Sequence, residues 1–379
     1  LTAVTVPRAS RVERERLRHD FVRLCEIESP SGRERAMVDA VLAELRGAGI
    51  DAREDGTATE TGAGAGNTIA RIAGPPGART IMLCAHVDTV PLDAPVEVVE
   101  EDGVFTNRHE AILGADNKAA VAMVLAVARR HATEPPPVGL ELVFTTSEEP
   151  GLRGAKALDR AALRSEYGFV FDHASPVGEL IVAAPTYYLI EARFHGKAAH
   201  AGIRPEDGRN AIVAAASALA SLRLGRLDEG TTANAGRIDG GTAANVVAER
   251  CRVELEARSL DHERAGRAVN EIVDGLTAGA SDNECDLELD VQEQLRAYRL
   301  ARSAPPVQAA SEALAGLGIE PQCISTGGGS DAHAFQARGL PCLNVANGTE
   351  RNHQPDERVT VSALETMLDV ALGIVARSA

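Results

Sequence analysis

Acids and imidazoles gather at five places in this sequence. Cys84-Ala-His86-Val-Asp88-Thr, Leu113-Gly-Ala-Asp116-Asn-Lys, Thr145-Thr-Ser-Glu148-Glu149-Pro-Gly and Phe171-Asp172-His173 each fall where a strand should give way to a loop or a helix. A fifth polar cluster, Arg351-Asn352-His353-Gln354-Pro355, lies near the C-terminus. Carboxylates and imidazoles converging from several strand ends are what a divalent cation requires. A carboxylate beside such a site that is not itself a ligand could carry protons.

Each cluster also has a plainer local reading. His86 and Asp88, two apart, leave a strand on the same face and fit a structural strand-end pair. Asp116 before a helix fits an N-cap. Glu148 and Glu149 fit a solvated acidic loop, although open α/β sheets place their sites at such carboxyl ends. Asp172-His173 repeats the pattern of an apolar strand with an acid at its end. His353 fits a solvated loop, as do His109, His131, His262 and His333. The set is harder to dismiss, because the acids follow apolar strands in order.

The elements that must position these groups are legible from periodicity. Helical patterns span residues 12–26 and 33–48; strand patterns span 68–72, 80–87, 140–146 and 167–171, with an Ala-rich helix over 117–131. Strands alternating with helices predict an α/β layer structure. Near Pro185 the pattern changes to strand 187–194, helix 210–222, strands 231–238 and 246–258, helix 262–278 and strand 285–291. That order is the split βαβ, ferredoxin-like unit. The α/β pattern resumes after residue 300, with helices 307–317 and 362–376 around strand 341–345. The sequence therefore predicts an α/β/α sandwich formed by residues 1–185 and 298–379, with an α+β domain of residues 186–297 inserted into it. Gly62, Gly64 and Gly66 precede a strand rather than follow one, so they predict a surface turn and not a dinucleotide loop.

The length of 379 residues favours two domains, and apolar residues at 44 % can fill two cores. With aromatics at 3 % and no Trp, those cores must rest on Ala, Val, Leu and Ile. A net charge of −16 argues against a nucleic-acid surface. No stretch approaches the roughly 20 apolar residues of a membrane span, and residues 1–18 lack an apolar leader core. Six scattered Cys without a C-x-x-C pair fit reduced thiols and a cytoplasmic protein.

Six segments together resemble the metallopeptidase M20 family, and within it the peptidase T (tripeptide aminopeptidase) branch. They are Ala85-His86-Val-Asp88-Thr-Val, Ile112-Leu-Gly-Ala-Asp116-Asn-Lys-Ala, Phe144-Thr-Thr-Ser-Glu148-Glu149-Pro-Gly, His195-Gly-Lys-Ala-Ala-His200-Ala-Gly, Gly240-Gly-Thr-Ala-Ala-Asn245-Val-Val and Gly327-Gly-Gly-Ser-Asp331-Ala. The resemblance runs from about residue 20 to the end.

This resemblance implies a zinc-exopeptidase, phosphorylase/hydrolase-type α/β/α fold with a ferredoxin-like lid and dimerisation domain. It implies two divalent metal ions per subunit, zinc first, with cobalt or manganese as alternatives. His86 and Asp172 would bind one ion, Glu149 and His353 the other, and Asp116 both, with a cis peptide bond after it. Asp88 would orient His86, and Glu148 would be the general base. His200, Asn245 and Arg258 would reach the substrate from the lid, in dimeric relatives across the subunit interface. The implied activity is removal of the N-terminal residue from short peptides by a homodimer. Asp rather than Glu at position 172 goes with aminopeptidase-like members. The alternatives are an M20-type carboxypeptidase or N-acyl-amino-acid deacylase, and, from another class, an inactive metal-binding dimeric scaffold.

Overall fold

The structure, a computed structural model, describes residues 6–379. It divides into two compact units. The larger comprises the chain through Val182, Arg299–Ser325 and Ser330–Ala379; the smaller comprises Ala183–Tyr298 and Thr326–Gly329.

The larger unit is built on a nine-stranded sheet. Its centre is four parallel strands in the spatial order Gly139–Thr145, Thr80–His86, Tyr167–Val170 and Cys342–Val345. These strands read as nearly unbroken apolar runs because both faces are covered. Leu83 and Ala85 join the main core on one face, while Met82 and Cys84 are equally buried on the other. Antiparallel strands Thr68–Ile72 and Asp51–Glu54 extend one side, and Glu179–Ala184 the other. Helix Ala115–Thr133 is buried nearly all round, packed against strand Thr80–His86 and helices Arg11–Cys25 and Val361–Arg377. Its Ala and Val residues suit that crowded position. Register aligns the sheet's active edge: His86 stands opposite Thr145, and Cys84 and Asn344 both stand opposite Val170. The carboxyl ends of the four strands therefore meet at one edge, where open α/β sheets bind ligands.

A separate four-stranded sheet, not anticipated from the sequence, runs in the order Thr349–Glu350, Arg358–Thr360, Val104–Asn107, Val98–Glu101. Its first two strands form a hairpin, and the loop between them carries His353. The strand Glu179–Ala184 is likewise absent from the sequence-based reading.

The smaller unit has its own core and a five-stranded antiparallel sheet. Thr186–His195, helix Ala211–Ser221, Thr231–Gly240, Arg250–Ser259, helix His262–Asp282 and Asp286–Leu295 follow in β-α-β-β-α-β order. Thr186–His195 lies between Arg250–Ser259 and Asp286–Leu295, the strand order of the split βαβ unit. The alternation of Ile190, Ala192 and Phe194 with polar residues puts one face on the two helices. The strand expected over 246–258 begins only at Arg250. Val246 and Val247 follow a turn at Ala244–Asn245, and Val246 makes a single bridge to His200.

Residues 61–67 also depart from the expected surface turn. Gly66 and Asn67 are buried, and a methyl group at Gly66 would collide with the Asp55 carbonyl. Asn67 donates to Asp55 at 2.9 Å and to the Gly154 carbonyl at 3.1 Å, and accepts the Thr146 amide at 3.1 Å. Gly64 and Gly66 permit close approach to Gly32–Glu34 and to Asp55, while exposed Gly62 takes a left-handed φ of 73°.

Candidate metal centre

His86 ends its strand almost fully buried. Its Nδ1–H donates to the carbonyl of Asp88 at 2.9 Å. That bond leaves the Nε2 lone pair for a cation, the usual arrangement of a ligating imidazole. Nε2 faces Asp116 Oδ1 at 3.1 Å and Asp172 Oδ1 at 3.6 Å.

Asp116 makes no helix cap. It lies at a break in the first turn of helix Ala115–Thr133, and its bond to Asn117 is cis. Its second oxygen accepts from Asn352 Nδ2 at 2.8 Å and lies 3.3 Å from His353 Nε2. The two oxygens of Asp116 thus face the two imidazoles. His353 Nε2 is also 3.1 Å from Glu149 Oε1, and its backbone is left-handed at φ 63°. Asp172 is fixed through its own backbone: its amide donates to Asn344 Oδ1 at 3.0 Å, and its carbonyl accepts from Asn344 Nδ2 at 2.9 Å.

Donor atoms of His86, Glu148 and Asp172 all lie within 4.8 Å of one another, as do those of His86, Asp116 and Glu149. Imidazole nitrogen and hard carboxylate oxygen are the donor set of divalent zinc, cobalt or manganese. The single free lone pair of His86 serves one ion position; Glu149 and His353, 3.1 Å apart, offer a second, and Asp116 is turned toward both histidines.

Electrostatics follow from burying so many acids together. Burial, and then the Asp172 charge, push the Glu148 carboxyl well above the ordinary glutamate range. Burial likewise raises Glu149 and Asp172, against the lowering effect of His353 on the first and His86 on the second. For Asp116 burial is outweighed by the two imidazoles, and its pKa falls. Burial disfavours a charged His86 ring, but Asp116, Asp172 and Asp88 outweigh it and raise its pKa well above the imidazole range. Asp116 and then Glu149 raise His353 to about 10.

Asp88 is completely buried. Its carboxylate stands 3.6 Å from His86 Nδ1, while its closer bonds are to the amides of Glu148 at 2.9 Å and Glu149 at 3.2 Å. Ser31 Oγ donates to the same carboxylate at 2.6 Å.

Several residues of this centre were given no role by the sequence reading. Glu357, buried, accepts the amides of Leu113, Gly114 and Asp116, each at 2.8 Å, and so holds the Asp116 turn. Burial raises it to about 7 against those three donors. Asn344 and Asn352 hold Asp172 and Asp116. Asp331 Oδ2 accepts from the Thr145 hydroxyl, while its Oδ1 is buried without a partner. The nearby His333, expected in a solvated loop, is buried in helix Asp331–Ala337.

His200, Asn245 and Arg258 belong to the smaller unit. There Ala201 N donates to Asn245 O at 3.0 Å, and His200 bridges to Val246, so His200 and Asn245 sit on adjoining exposed loops. Arg258 stacks 4.2 Å above the Tyr187 ring, pairs with Glu256 at 3.0 Å and donates to the Gly327 carbonyl at 2.9 Å.

The sequence profile described as "Peptidase family M20/M25/M40" matches residues 82–377. The chain belongs to this family. It is accordingly an enzyme of the metallo-exopeptidase type. A Bacillus subtilis (strain 168) relative, "Uncharacterized protein YqjE", is 34 % identical over 97 % of this chain and 100 % of its own length. The crystal structure of aminopeptidase PepT from Bacillus cereus ATCC 10987 superposes with a TM-score of 0.88 at 34 % identity, covering 96 % of this chain and 98 % of that one. A tripeptidase from Staphylococcus aureus subsp. aureus Mu50 gives 0.92 at 32 %, with the same coverage. Among the described residues, no helix of this M20 protein is long and apolar enough to cross a membrane.

Proposed function

We propose that this chain removes the N-terminal residue from short peptides, tripeptides foremost, using two divalent metal ions. The observation that carries this reading is Asp116, whose two oxygens stand 3.1 and 3.3 Å from the imidazole nitrogens of His86 and His353. The similarity to an aminopeptidase and a tripeptidase at 34 % and 32 % identity supports the substrate class.

His86 and Asp172 would hold one ion, Glu149 and His353 the other, with Asp116 available to both, as the donor set allows. Zinc is the expected metal, with cobalt and manganese as alternatives. Bound there, the pair supplies Lewis-acid polarisation and a water of lowered pKa. The remaining steps fall to the protein's own groups. Glu148 takes the proton of the attacking water and returns it to the leaving amine nitrogen, standing beside His86 and Asp172 without being needed to hold either ion. Asp88 fixes the backbone of Glu148 and Glu149 and, through its carbonyl, the tautomer of His86. Asn352 and Glu357 keep Asp116 in orientation.

His200, Asn245 and Arg258 are the substrate-contacting residues of the smaller unit, which acts as lid and dimerisation domain of a cytoplasmic homodimer. The apolar side chains Ile203, Ile212, Val213, Ile238 and Val246 of that unit are exposed, as a surface for a second copy requires. Arg258, braced by Tyr187 and Gly327, would meet a peptide carboxylate by exchanging its pair with Glu256.

The test is a panel of di-, tri- and tetrapeptides and N-acyl-amino acids, assayed with zinc, cobalt or manganese. The reading expects release of the N-terminal residue, fastest from tripeptides. Release of the C-terminal residue or of an acyl group would assign the carboxypeptidase or deacylase class. No turnover on any substrate by the metal-loaded protein would favour the inactive scaffold.

A further inference from the structure

Ser147, the residue before Glu148, is buried and left-handed, with φ 50°. L side chains rarely adopt that conformation, so something must hold it. Asp88 secures the far side of the turn through the Glu148 and Glu149 amides. The near side is secured by an acid more than a hundred residues away in sequence. Glu34 Oε1 accepts the Ser147 hydroxyl at 2.8 Å and the Gly32 amide at 2.8 Å, and Oε2 accepts the Gly64 amide at 2.6 Å. The Glu34 side chain is fully buried. Three donors converge on it, and only an acceptor at both oxygens serves them all. Ser31, three residues earlier, bonds Asp88, so one short stretch grips both supports of the Glu148 turn.

We infer that Glu34 is a positioning residue for the proton carrier: through the Ser147 hydroxyl it fixes the turn that sets the Glu148 carboxyl beside His86 and Asp172. The inference rests on the reading of Glu148 as the base. Neither Ser31 nor Glu34 lies within residues 82–377, the stretch matched to the family. A purely structural staple of the 32–34 and 64 loops would use the same Gly32 and Gly64 bonds, but would have no need of Ser147. The Ser147 bond is therefore what the experiment must isolate.

Ser147→Ala removes the hydroxyl and keeps the backbone cost. Ser147→Gly removes the hydroxyl and relieves that cost. Glu34→Ala removes the acceptor. On the metal-loaded enzyme, each should lower kcat about 10- to 100-fold, the usual effect of removing a supporting partner. KM and the content of two metals per subunit should stay at wild-type values. The double variant Glu34→Ala/Ser147→Gly should lose no more than the worse single, because the two changes share the Glu34–Ser147 bond. If Glu34→Ala does not fold, the two Ser147 variants decide alone. Glu148→Gln is run in parallel. If it is inactive while both Ser147 variants keep kcat within twofold of wild type, this inference fails and the reading of Glu148 stands. If Glu148→Gln itself keeps wild-type turnover, the reading of the base fails and the inference falls with it.

Discussion

The Asp88 carboxylate accepts the backbone amide of Glu148 at 2.9 Å, a closer bond than its 3.6 Å approach to the His86 ring. The two motifs, 60 residues apart in sequence, are thus one assembly. A residue expected only to orient a histidine also carries the two acids that follow the neighbouring strand. This makes Asp88→Asn a compound lesion. One of its two oxygens becomes a donor facing either an amide or the Ser31 hydroxyl. We expect kcat to fall about 10- to 100-fold, with metal affinity weakened less than turnover. Paired metal titration and steady-state kinetics would measure both; unchanged kcat with weakened metal binding would return Asp88 to the role of histidine partner alone.

Glu148→Ala should keep two metals per subunit and lose turnover by about 10²–10⁴-fold, the usual worth of a general base. Mass-spectrometric metal analysis beside peptide kinetics tests both halves. Activity within a few-fold of wild type would remove Glu148 from the proton path.

Asp116→Ala should behave differently, because Asp116 turns one oxygen toward each imidazole. Metal stoichiometry should fall below two, and addition of zinc should raise the melting temperature less than in wild type, since stabilisation by a ligand grows with the logarithm of its concentration over Kd. Two tightly held ions in this variant would contradict a bridging role.

These assignments show which parts of the centre were legible in sequence. His86, Glu148 and Asp172 could be read because apolar runs announce buried strands, and an acid or His at their ends breaks the run. His353 offered no such run, since its support is a short hairpin in a small sheet that periodicity missed. Glu34, at the start of a helical pattern, and Glu357 carry no local sign of a role. Each is buried only because backbone amides from remote segments converge on it. Gly64 and Gly66 were read as a turn for the same reason: nothing local reveals that another chain segment presses against them. Partners remote in sequence leave no spacing to detect.

Asp331 gives a pH prediction for the metal-free protein. Burial raises its pKa to about 7, with Thr145 and His86 opposing. An unfolded aspartate titrates near 3.9. Between these values the folded protein holds a proton that the unfolded chain has lost, so this group's contribution to stability falls as pH rises through 7. Asp331→Asn removes that contribution to the slope. Denaturant unfolding at pH 5 and pH 8 should therefore show a larger loss across the interval for wild type than for the variant. Equal losses would mean that Asp331 is ionised throughout.

His200 tests the role proposed for the smaller unit. The side chain is exposed, its Nδ1 accepts the Gly202 amide at 3.2 Å, and Ala198, Ala199, Ala201 and Gly202 leave its surroundings open. A solvated loop histidine could be replaced at no cost. A donor to the developing oxyanion would instead cost kcat by about 10²–10³-fold on removal, with metal content and dimerisation intact. Mixed dimers separate the two ways it could act. Subunits carrying Glu148→Ala are combined with subunits carrying His200→Ala. If His200 serves the partner's centre, one of the two sites regains both groups and about half of wild-type activity returns. If His200 serves its own subunit, each site lacks one group and the mixed dimer stays as inactive as its parents. Wild-type kcat in His200→Ala itself would leave the residue a surface histidine, and a monomer by light scattering at micromolar concentration would remove the partner from the mechanism.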